Sequence, residues 1–214
     1  MRKLYLLSFI LITTLLFGSC KESSEEGEYD NWRERNEAFI DSLESVYANK
    51  KDPELLRIQN FKDKASYIYF KKLKGEATSE ESPYSTSIVR VNYRGMLIDE
   101  GVFGKMKEPK YLSQAYRELK VFDKTFNGDD PLEEPLGERG PVEFEANQVI
   151  SGWTAVLQYM RPGERWEIYI PYESAYGERG KDAIPGFSAL IFDLQLLSFR
   201  DPLPHEDKTP NSGF

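Results

Sequence analysis

The sequence predicts an α+β domain in which a curved antiparallel β-sheet wraps around one short helix, preceded by a helical N-terminal extension. Residues 87–97 alternate as a half-buried antiparallel strand does. One face of that strand would carry Val89, Val91 and Tyr93, and the other would carry Ile88, Arg90 and Asn92. Residues 149–160 show apolar side chains at helical spacing and end in a Pro-Gly turn, which predicts the helix.

Five further segments complete the predicted domain, which we place at residues 66–199. Aromatic and β-branched residues predict strands at Tyr67–Phe70, Val142–Phe144, Arg165–Ile170 and Ala189–Leu197, and the segment Val121–Asp123 precedes a Gly/Pro/acid-rich loop. We interpret residues 98–120 as an insertion with a candidate short helix over 111–119. Residues 200–214 contain three prolines and are predicted to be a disordered tail.

Residues 31–65 form the predicted extension. Apolar residues recur at helical spacing between Trp32 and Val46, opposite a charged face, and Pro53 suits the first turn of a second helix continuing to Phe61. The two helices could pack on the domain, pair with another copy of the chain, or hold the domain away from a membrane. The sequence leaves these three arrangements open.

Charge and composition exclude several classes of function. The chain has 28 Lys+Arg against 36 Asp+Glu, a net charge of −8, so we expect no nucleic-acid partner. His205 is the only histidine and Cys20 the only cysteine, which excludes histidine triads, thiolate metal clusters and an internal disulfide. We therefore expect neither a metal nor another cofactor.

The N-terminus explains the single cysteine. Arg2 and Lys3 precede an apolar run of 14 residues, Leu4–Phe17, which is short for a membrane span and typical of a secretory signal. Gly18-Ser19-Cys20 then resembles a bacterial lipobox, which implies a signal peptide over residues 1–19 and a membrane anchor on lipidated Cys20. A plain signal peptide and an uncleaved anchor are the alternatives.

Residues 20–30 are acidic and lack apolar periodicity, so we interpret them as a solvated tether. This stretch also resembles the surface-export signals of Bacteroidota lipoproteins, although an ordinary spacer would look the same. Either reading places the protein at the cell envelope, on the outer membrane, facing the periplasm or at the cell surface.

Five short strings resemble successive signatures of the FKBP family of peptidyl-prolyl cis/trans isomerases, in the family's order. They are Val91-Asn-Tyr-Arg-Gly-Met-Leu97, Val121-Phe-Asp123, Gln148-Val-Ile-Ser-Gly-Trp153, Ala175-Tyr-Gly177 and Leu190-Ile-Phe-Asp193. The resemblance covers residues 67–199, is similar to bacterial members of the macrophage infectivity potentiator type, and implies the FKBP-like fold in a Bacteroidota-like lipoprotein form.

The chemistry of prolyl isomerisation suits such a set of residues. An X–Pro bond rotates across a barrier of about 18–20 kcal/mol because twisting breaks amide resonance. The twisted amide is less polar than the planar one, so a dry apolar pocket favours it without a nucleophile, metal or proton relay. An aromatic box with a few oriented hydrogen-bond donors would be sufficient.

The resemblance assigns a role to each residue of that box. Trp153 would form the floor; the walls would be Tyr93, Phe122, Phe192, Val149 and Ile150, with Phe144 or alternatively Val142 in the remaining position. Tyr176 would donate its hydroxyl, and Ile150 its backbone N–H, to substrate carbonyls. Asp123 would orient the site through Tyr93, and Ile184 would line the rim. Taken singly, most of these are ordinary core or turn residues, and Val102-Phe-Gly104 is a competing match to the Asp123 string.

The resemblance implies an isomerase that assists the folding of exported proteins by acting on proline-containing polypeptide clients, and that binds tacrolimus-type macrolide inhibitors. A different reading is a weakly active or inactive chaperone or peptide-binding lipoprotein of a cell-envelope assembly.

Overall fold

The structure of the protein, a computed structural model, describes residues 27–60, 62, 66–73, 75–98, 119–128 and 140–202. The predicted signal peptide, Cys20, residues 111–118 of the candidate helix over 111–119, the string Val102–Gly104 and the tail beyond residue 202 lie outside these ranges. The chain divides into two compact units, residues 1–30 and 31–214. Within the described ranges, no helix has the length and apolarity needed to cross a bilayer.

One seven-stranded antiparallel sheet forms the second unit. Its strands are β1 (Leu56–Gln59), β2 (Tyr67–Lys72), β3 (Ile88–Leu97), β4 (Lys120–Lys124), β5 (Val142–Glu145), β6 (Arg165–Ile170) and β7 (Leu190–Arg200). Their spatial order is β1-β2-β6-β7-β3-β4, and β5 also pairs with β3. The far edge of β3 is shared, because β5 pairs with residues 88–91 of β3 and β4 with residues 94–97.

The short helix α2 (Ser151–Leu157) packs on one face of this sheet, as predicted. A methyl group on Gly152 would lie 2.5 Å from a side-chain carbon of Ile170, so the helix approaches β6 closely because that position has no side chain. Trp166 stacks on Phe70 at a centroid distance of 4.3 Å on this face. We call it the concave face. The predicted α+β fold is confirmed.

The opposite face, which we call the convex face, is covered by the helix α1 (Trp32–Ala48). Leu43 is fully buried, Phe39 meets Tyr169 edge-on at 6.0 Å, and Tyr47 meets Tyr69 at 6.4 Å. The predicted first helix is therefore confirmed. It packs on the domain, the first of the three arrangements that the sequence left open.

The second predicted helix, beginning at Pro53, is wrong. Residues 56–59 form β1, in which Leu56 pairs with Phe70 and Gln59 with Tyr67 of β2. The turn before the strand is held by Asp52, whose carboxylate accepts the Glu54 N–H at 2.9 Å. The backbone hydrogen bonds that these residues make with the edge of β2 stabilise the strand more than the helical spacing of a few apolar residues stabilises a helix.

The polar face predicted for β3 is also only partly correct. Arg90 is exposed, but Asn92 and Arg94 are buried because the convex face is covered rather than solvated. Asn92 Oδ1 accepts the hydroxyl of Thr125 at 3.2 Å. At the other boundary, Arg200 pairs with Ile88 as the last residue of β7, so this strand extends one residue into the predicted tail.

Candidate functional site

A concave pocket of about 580 Å³ opens where α2, β3, β4, β5 and the loop after β6 meet, and we call it the aromatic pocket. That volume is within the usual range for a small-ligand or peptide side-chain site. It is lined by Tyr93, Phe122, Asp123, Val142, Phe144, Gln148, Val149, Ile150, Trp153, Tyr176, Lys181 and Phe192.

Trp153 forms the floor of the pocket because the first turn of α2 directs it against the sheet. Tyr93 and Phe192 meet its ring edge-on at 5.2 and 5.0 Å, and the ring of Phe144 lies against it at 5.7 Å, tilted by 45°. Edge contacts at these distances are favourable for aromatic pairs and hold each ring in a fixed plane. The indole Nε1–H of Trp153 is buried and has no hydrogen-bond partner in the described part of the protein.

A β-bulge supplies two neighbouring pocket residues from one strand. In the pairing of β3 with β4, Gly95 lies opposite Asp123 and Met96 opposite Val121, which leaves Phe122 as the extra residue. Adjacent residues of a regular strand point to opposite faces, whereas a bulge re-aims a side chain. Phe122 and Asp123 therefore both line the pocket.

Gly95 makes room for this wall. A methyl group at Gly95 would lie 2.5 Å from Cζ of Phe122 and 2.7 Å from Cε1 of Phe192. Those two rings meet edge-on at 5.7 Å directly over the glycine. A residue without a side chain is needed here for the two aromatic walls to close on the backbone.

Asp123 and Tyr93 form the polar part of the wall. The Tyr93 hydroxyl donates to the Asp123 carboxylate, which also accepts the Lys124 N–H at 2.9 Å. Burial, and then the hydrogen bond to Asp123, raise the pKa of Tyr93 well above its ordinary value, so the hydroxyl stays protonated. The Tyr93 backbone is fixed on both sides by Thr125, since Tyr93 N–H donates to Thr125 Oγ1 and Thr125 N–H to Tyr93 O, each at 2.9 Å.

Two hydrogen-bond donors lie at the edge of the pocket. Tyr176 follows the 3₁₀ turn Tyr172–Ser174, and Ile150 directly precedes α2. The Ile150 carbonyl accepts the first N–H groups of the helix, from Trp153 and Thr154. Within the described ranges, neither the Tyr176 hydroxyl nor the Ile150 N–H has a hydrogen-bond acceptor, so both are available to a bound peptide.

The structure brings together nine of the ten pocket residues that the resemblance named. Phe144 and its alternative, Val142, both line the pocket. Ile184 does not; it is buried and exchanges two backbone hydrogen bonds with Lys181, at 2.8 and 2.9 Å, so that the Lys181 side chain reaches the pocket instead. Gln148 and Lys181 were missed, because nothing in the sequence shows how far a loop side chain extends.

The fold and the pocket together define an α+β domain with an open apolar pocket between aromatic walls. A family model described as FKBP-type peptidyl-prolyl cis-trans isomerase matches residues 79–197, which include every pocket residue. The chain therefore belongs to the FKBP-type peptidyl-prolyl cis-trans isomerase family, and the resemblance of the five strings is confirmed.

Relatives in this family include an FKBP-type 22 kDa peptidyl-prolyl cis-trans isomerase from Escherichia coli K12, 37% identical over 54% of this chain and 42% of that protein. The outer membrane protein MIP of Legionella longbeachae is 29% identical over 83% of this chain and 60% of that protein. The crystal structure of FkpA from Escherichia coli matches with a TM-score of 0.56 at 26% identity, covering 82% of this chain and 63% of that one. The chain thus spans less than two thirds of the length of each relative.

Proposed function

We propose that this protein catalyses cis/trans isomerisation of X–Pro bonds in exported polypeptides. The observation that carries the proposal is the aromatic pocket itself, with Trp153 as its floor and two unengaged donors, the Tyr176 hydroxyl and the Ile150 N–H, at its edge. A proline ring would fit an apolar cup of this size, and the two donors at its edge support hydrogen bonding to the carbonyls that flank the ring.

The pocket would lower the barrier through its environment. In water the planar amide is well solvated, and a pocket with aromatic walls replaces that water with surfaces that favour the less polar twisted amide. The pocket therefore binds the twisted amide better than the planar one, which is differential binding of the transition state. The two donors would bind the flanking carbonyls, whose amides stay planar, and so hold the chain on either side of the rotating bond. No bond to the protein is made or broken in this scheme.

Asp123 acts in this proposal as a positioning residue. Its carboxylate accepts the Tyr93 hydroxyl, which fixes the Tyr93 ring against Trp153. Asp123 itself is exposed at the lip, where its charge does not enter the apolar cup. Substituting it would loosen the wall without emptying the core.

A coupled isomerisation assay on a proline tetrapeptide tests the proposal with the full chain in detergent. We expect Tyr176→Phe and Asp123→Ala each to lower kcat/KM about fivefold to tenfold, the factor for losing one or two net hydrogen bonds. Tyr159→Phe is the matched control, since Tyr159 is an exposed tyrosine outside the pocket. Wild-type activity at background level would overturn the proposal.

Two further measurements define the ligand class. A tacrolimus-type macrolide should compete with the peptide for the pocket. A refolding assay with a proline-free client examines the chaperone reading, because an isomerase has no bond to act on in that client.

We also propose that the chain is a lipoprotein of the cell envelope, anchored through Cys20. The apolar run followed by Gly18-Ser19-Cys20 supports this, as does the name of the Legionella longbeachae relative. Metabolic labelling with a radioactive fatty acid should mark the wild-type chain and not Cys20→Ser. Equal labelling of both chains would contradict the anchor.

A further inference from the structure

Helix α1 touches the loop that completes the aromatic pocket. This loop, residues 175–189, runs from Ala175 to the start of β7 and carries Tyr176 and Lys181. At its far end, Ser188 Oγ accepts the indole Nε1–H of Trp32, the first residue of α1, at 2.9 Å. Trp32 and Ser188 are both buried, so the bond is made away from solvent, where its loss would leave the indole N–H unpaired.

Asn36, one turn further along α1, makes a second contact with the loop. Its Oδ1 accepts the Ala189 N–H at 2.8 Å, and its Nδ2 donates to the Trp32 carbonyl at 2.7 Å. Asn36 is 1% exposed, and a polar side chain at that depth is kept there by its partners. The amide thus links the backbone of the loop to the first turn of the helix.

The loop backbone is strained at the residue just before these contacts. Phe187 has φ of 60°, a left-handed conformation that a bulky residue rarely adopts unless its surroundings impose it. Its ring is held between the Arg33 guanidinium at 4.6 Å and Tyr172 at 5.2 Å. Its N–H donates to the Gly177 carbonyl at 3.0 Å, directly after Tyr176.

A continuous set of bonds therefore connects the helix to the pocket edge. Ser188 Oγ donates to the Pro185 carbonyl at 2.7 Å. Ile184, next to Pro185, exchanges its two backbone bonds with Lys181, and Phe187 closes the loop onto Gly177. The loop is therefore bound to α1 at one end, and its internal hydrogen bonds fix the backbone beside Tyr176 and Lys181 at the other end.

We propose that α1 is a positioning element for the pocket, and that Trp32 and Asn36 act through this loop to place Tyr176 and Lys181 for the bound peptide. The inference deepens the proposed isomerase function and rests on it. Without these two contacts, the strain at Phe187 is free to relax, the loop samples other conformations, and the donor at Tyr176 is no longer fixed.

The test compares Asn36→Ala and Trp32→Phe with Val46→Ala in the full chain in detergent. Trp32→Phe keeps a ring and removes only the N–H donor. Val46 is buried on the same helix ten residues beyond Asn36, about 15 Å along its axis, so its truncation weakens α1 without touching the loop. Isomerisation kinetics give kcat and KM, and hydrogen exchange reports on individual amides.

We expect kcat/KM to fall about fivefold in Asn36→Ala and about threefold in Trp32→Phe, mostly through KM, and less than twofold in Val46→Ala. Exchange should accelerate at the Ala189 amide, which is bonded to Asn36. It should also accelerate at the Lys181, Ile184 and Phe187 amides, which are bonded only within the loop.

Two results would separate the possible failures. An inactive wild-type chain would sink the isomerase proposal, and the loop amides would still decide whether α1 positions the loop. Suppose instead that the wild-type chain is active, that exchange accelerates only at Ala189, and that kcat/KM is unchanged in both variants. The contacts would then only attach α1 to the domain, and the inference would be overturned.

Discussion

The two faces of the sheet differ in chemistry although they are built from alternate residues of the same strands. On the concave face, aromatic rings meet edge-on around a pocket. On the convex face, strand pairing places Lys71, Glu167, Asp193 and Arg94 side by side across four strands, and Glu167, Asp193 and Arg94 are buried. The concave face contains the open pocket and, in the described part of the chain, both of the buried side-chain polar atoms that lack a partner, the indole nitrogens of Trp153 and Trp166.

Neighbours in the sequence illustrate the division. Phe192 forms a pocket wall, while Asp193, the next residue, accepts a two-pronged hydrogen bond from Arg165, with Nε to Oδ1 at 2.7 Å. The period of two in a strand sends the two side chains to different environments. The comparison indicates that activity depends mainly on the concave face. Substitutions among the convex-face residues of the sheet should therefore change stability and leave kcat/KM nearly unchanged, whereas the residues of α1 that contact the pocket loop should affect activity.

The largest effect should come from Arg165→Ala on the convex face. Asp193 is 2% exposed and would be left as a buried carboxylate without its main cation, which typically costs about 3–5 kcal/mol of unfolding free energy. Chemical denaturation measures the loss. Arg200→Ala is the control, because its 3.3 Å ion pair with Glu143 is exposed and should contribute less than about 1 kcal/mol. Equal losses in both variants would contradict the burial argument.

Gly95→Ala should have the next largest effect, and on the concave face. The added methyl would press on Phe122 and Phe192, and overpacking of this kind costs about 1–3 kcal/mol. Because those rings are pocket walls, we expect kcat/KM to fall more than about tenfold, well beyond the fraction of protein lost to unfolding. Near-normal activity in the folded variant would show that the walls tolerate displacement.

The contrast between the faces also explains which parts of the structure could be predicted from the sequence. Short strings located Trp153, Phe192 and most of the pocket, because α2 and the long strands fix where those side chains point. The bulge that brings Phe122 and Asp123 to one side has no local signature, and only the family's pattern named both.

The convex face could not be predicted in the same way. Asn92 reads as a solvent-facing residue of an alternating strand, and it is buried only because tertiary packing covers that side of the sheet. The contacts of Asn36 with the loop join residues 153 positions apart, which periodicity does not reveal. Residues 56–59 became a strand because an unpaired edge was available, and this too is a property of the assembled sheet.

Glu167→Gln, a substitution on the convex face, should change how the unfolding free energy depends on pH. Burial, the main cause, together with the nearby Asp193 raises the pKa of Glu167 to about 7, against the opposing effects of the Tyr169 hydroxyl and the cations Lys71 and Arg165. The folded state then holds a proton that the unfolded state releases between about pH 4.5 and pH 7. The wild-type chain should therefore lose stability as pH rises through this window.

The glutamine variant has no proton to release at this position, so its unfolding free energy should vary less between pH 5 and pH 8. It should match the wild type at the acid end and exceed it at the alkaline end. Its kcat/KM should follow that of the wild type, since Glu167 lies on the convex face. Parallel stability curves for the two proteins would show that Glu167 ionises normally in the fold.

The smallest expected effect comes from removing either of two similar hydrogen bonds, one on each face of the sheet. Tyr93 donates to Asp123 beside the pocket, and Tyr69 donates to Glu44 beneath α1. Tyr93→Phe keeps the ring against Trp153 and removes only the bond that fixes it, so we expect kcat/KM to fall about threefold to fivefold with a stability change near 1 kcal/mol. Burial raises the pKa of both tyrosines well above the ordinary value, so the loss should be constant from pH 6 to pH 9.

Tyr69→Phe removes a bond of the same chemistry, and we expect a similar change in stability. Its kcat/KM should stay within a factor of two of the wild type, because Tyr69 contacts α1 and not the pocket. Equal losses of activity in the two variants would mean that the faces are coupled through the sheet. A loss of activity in Tyr93→Phe alone would show that catalysis requires the hydrogen bond on the concave face. The convex side would then affect activity only through the contacts of α1 with the pocket loop.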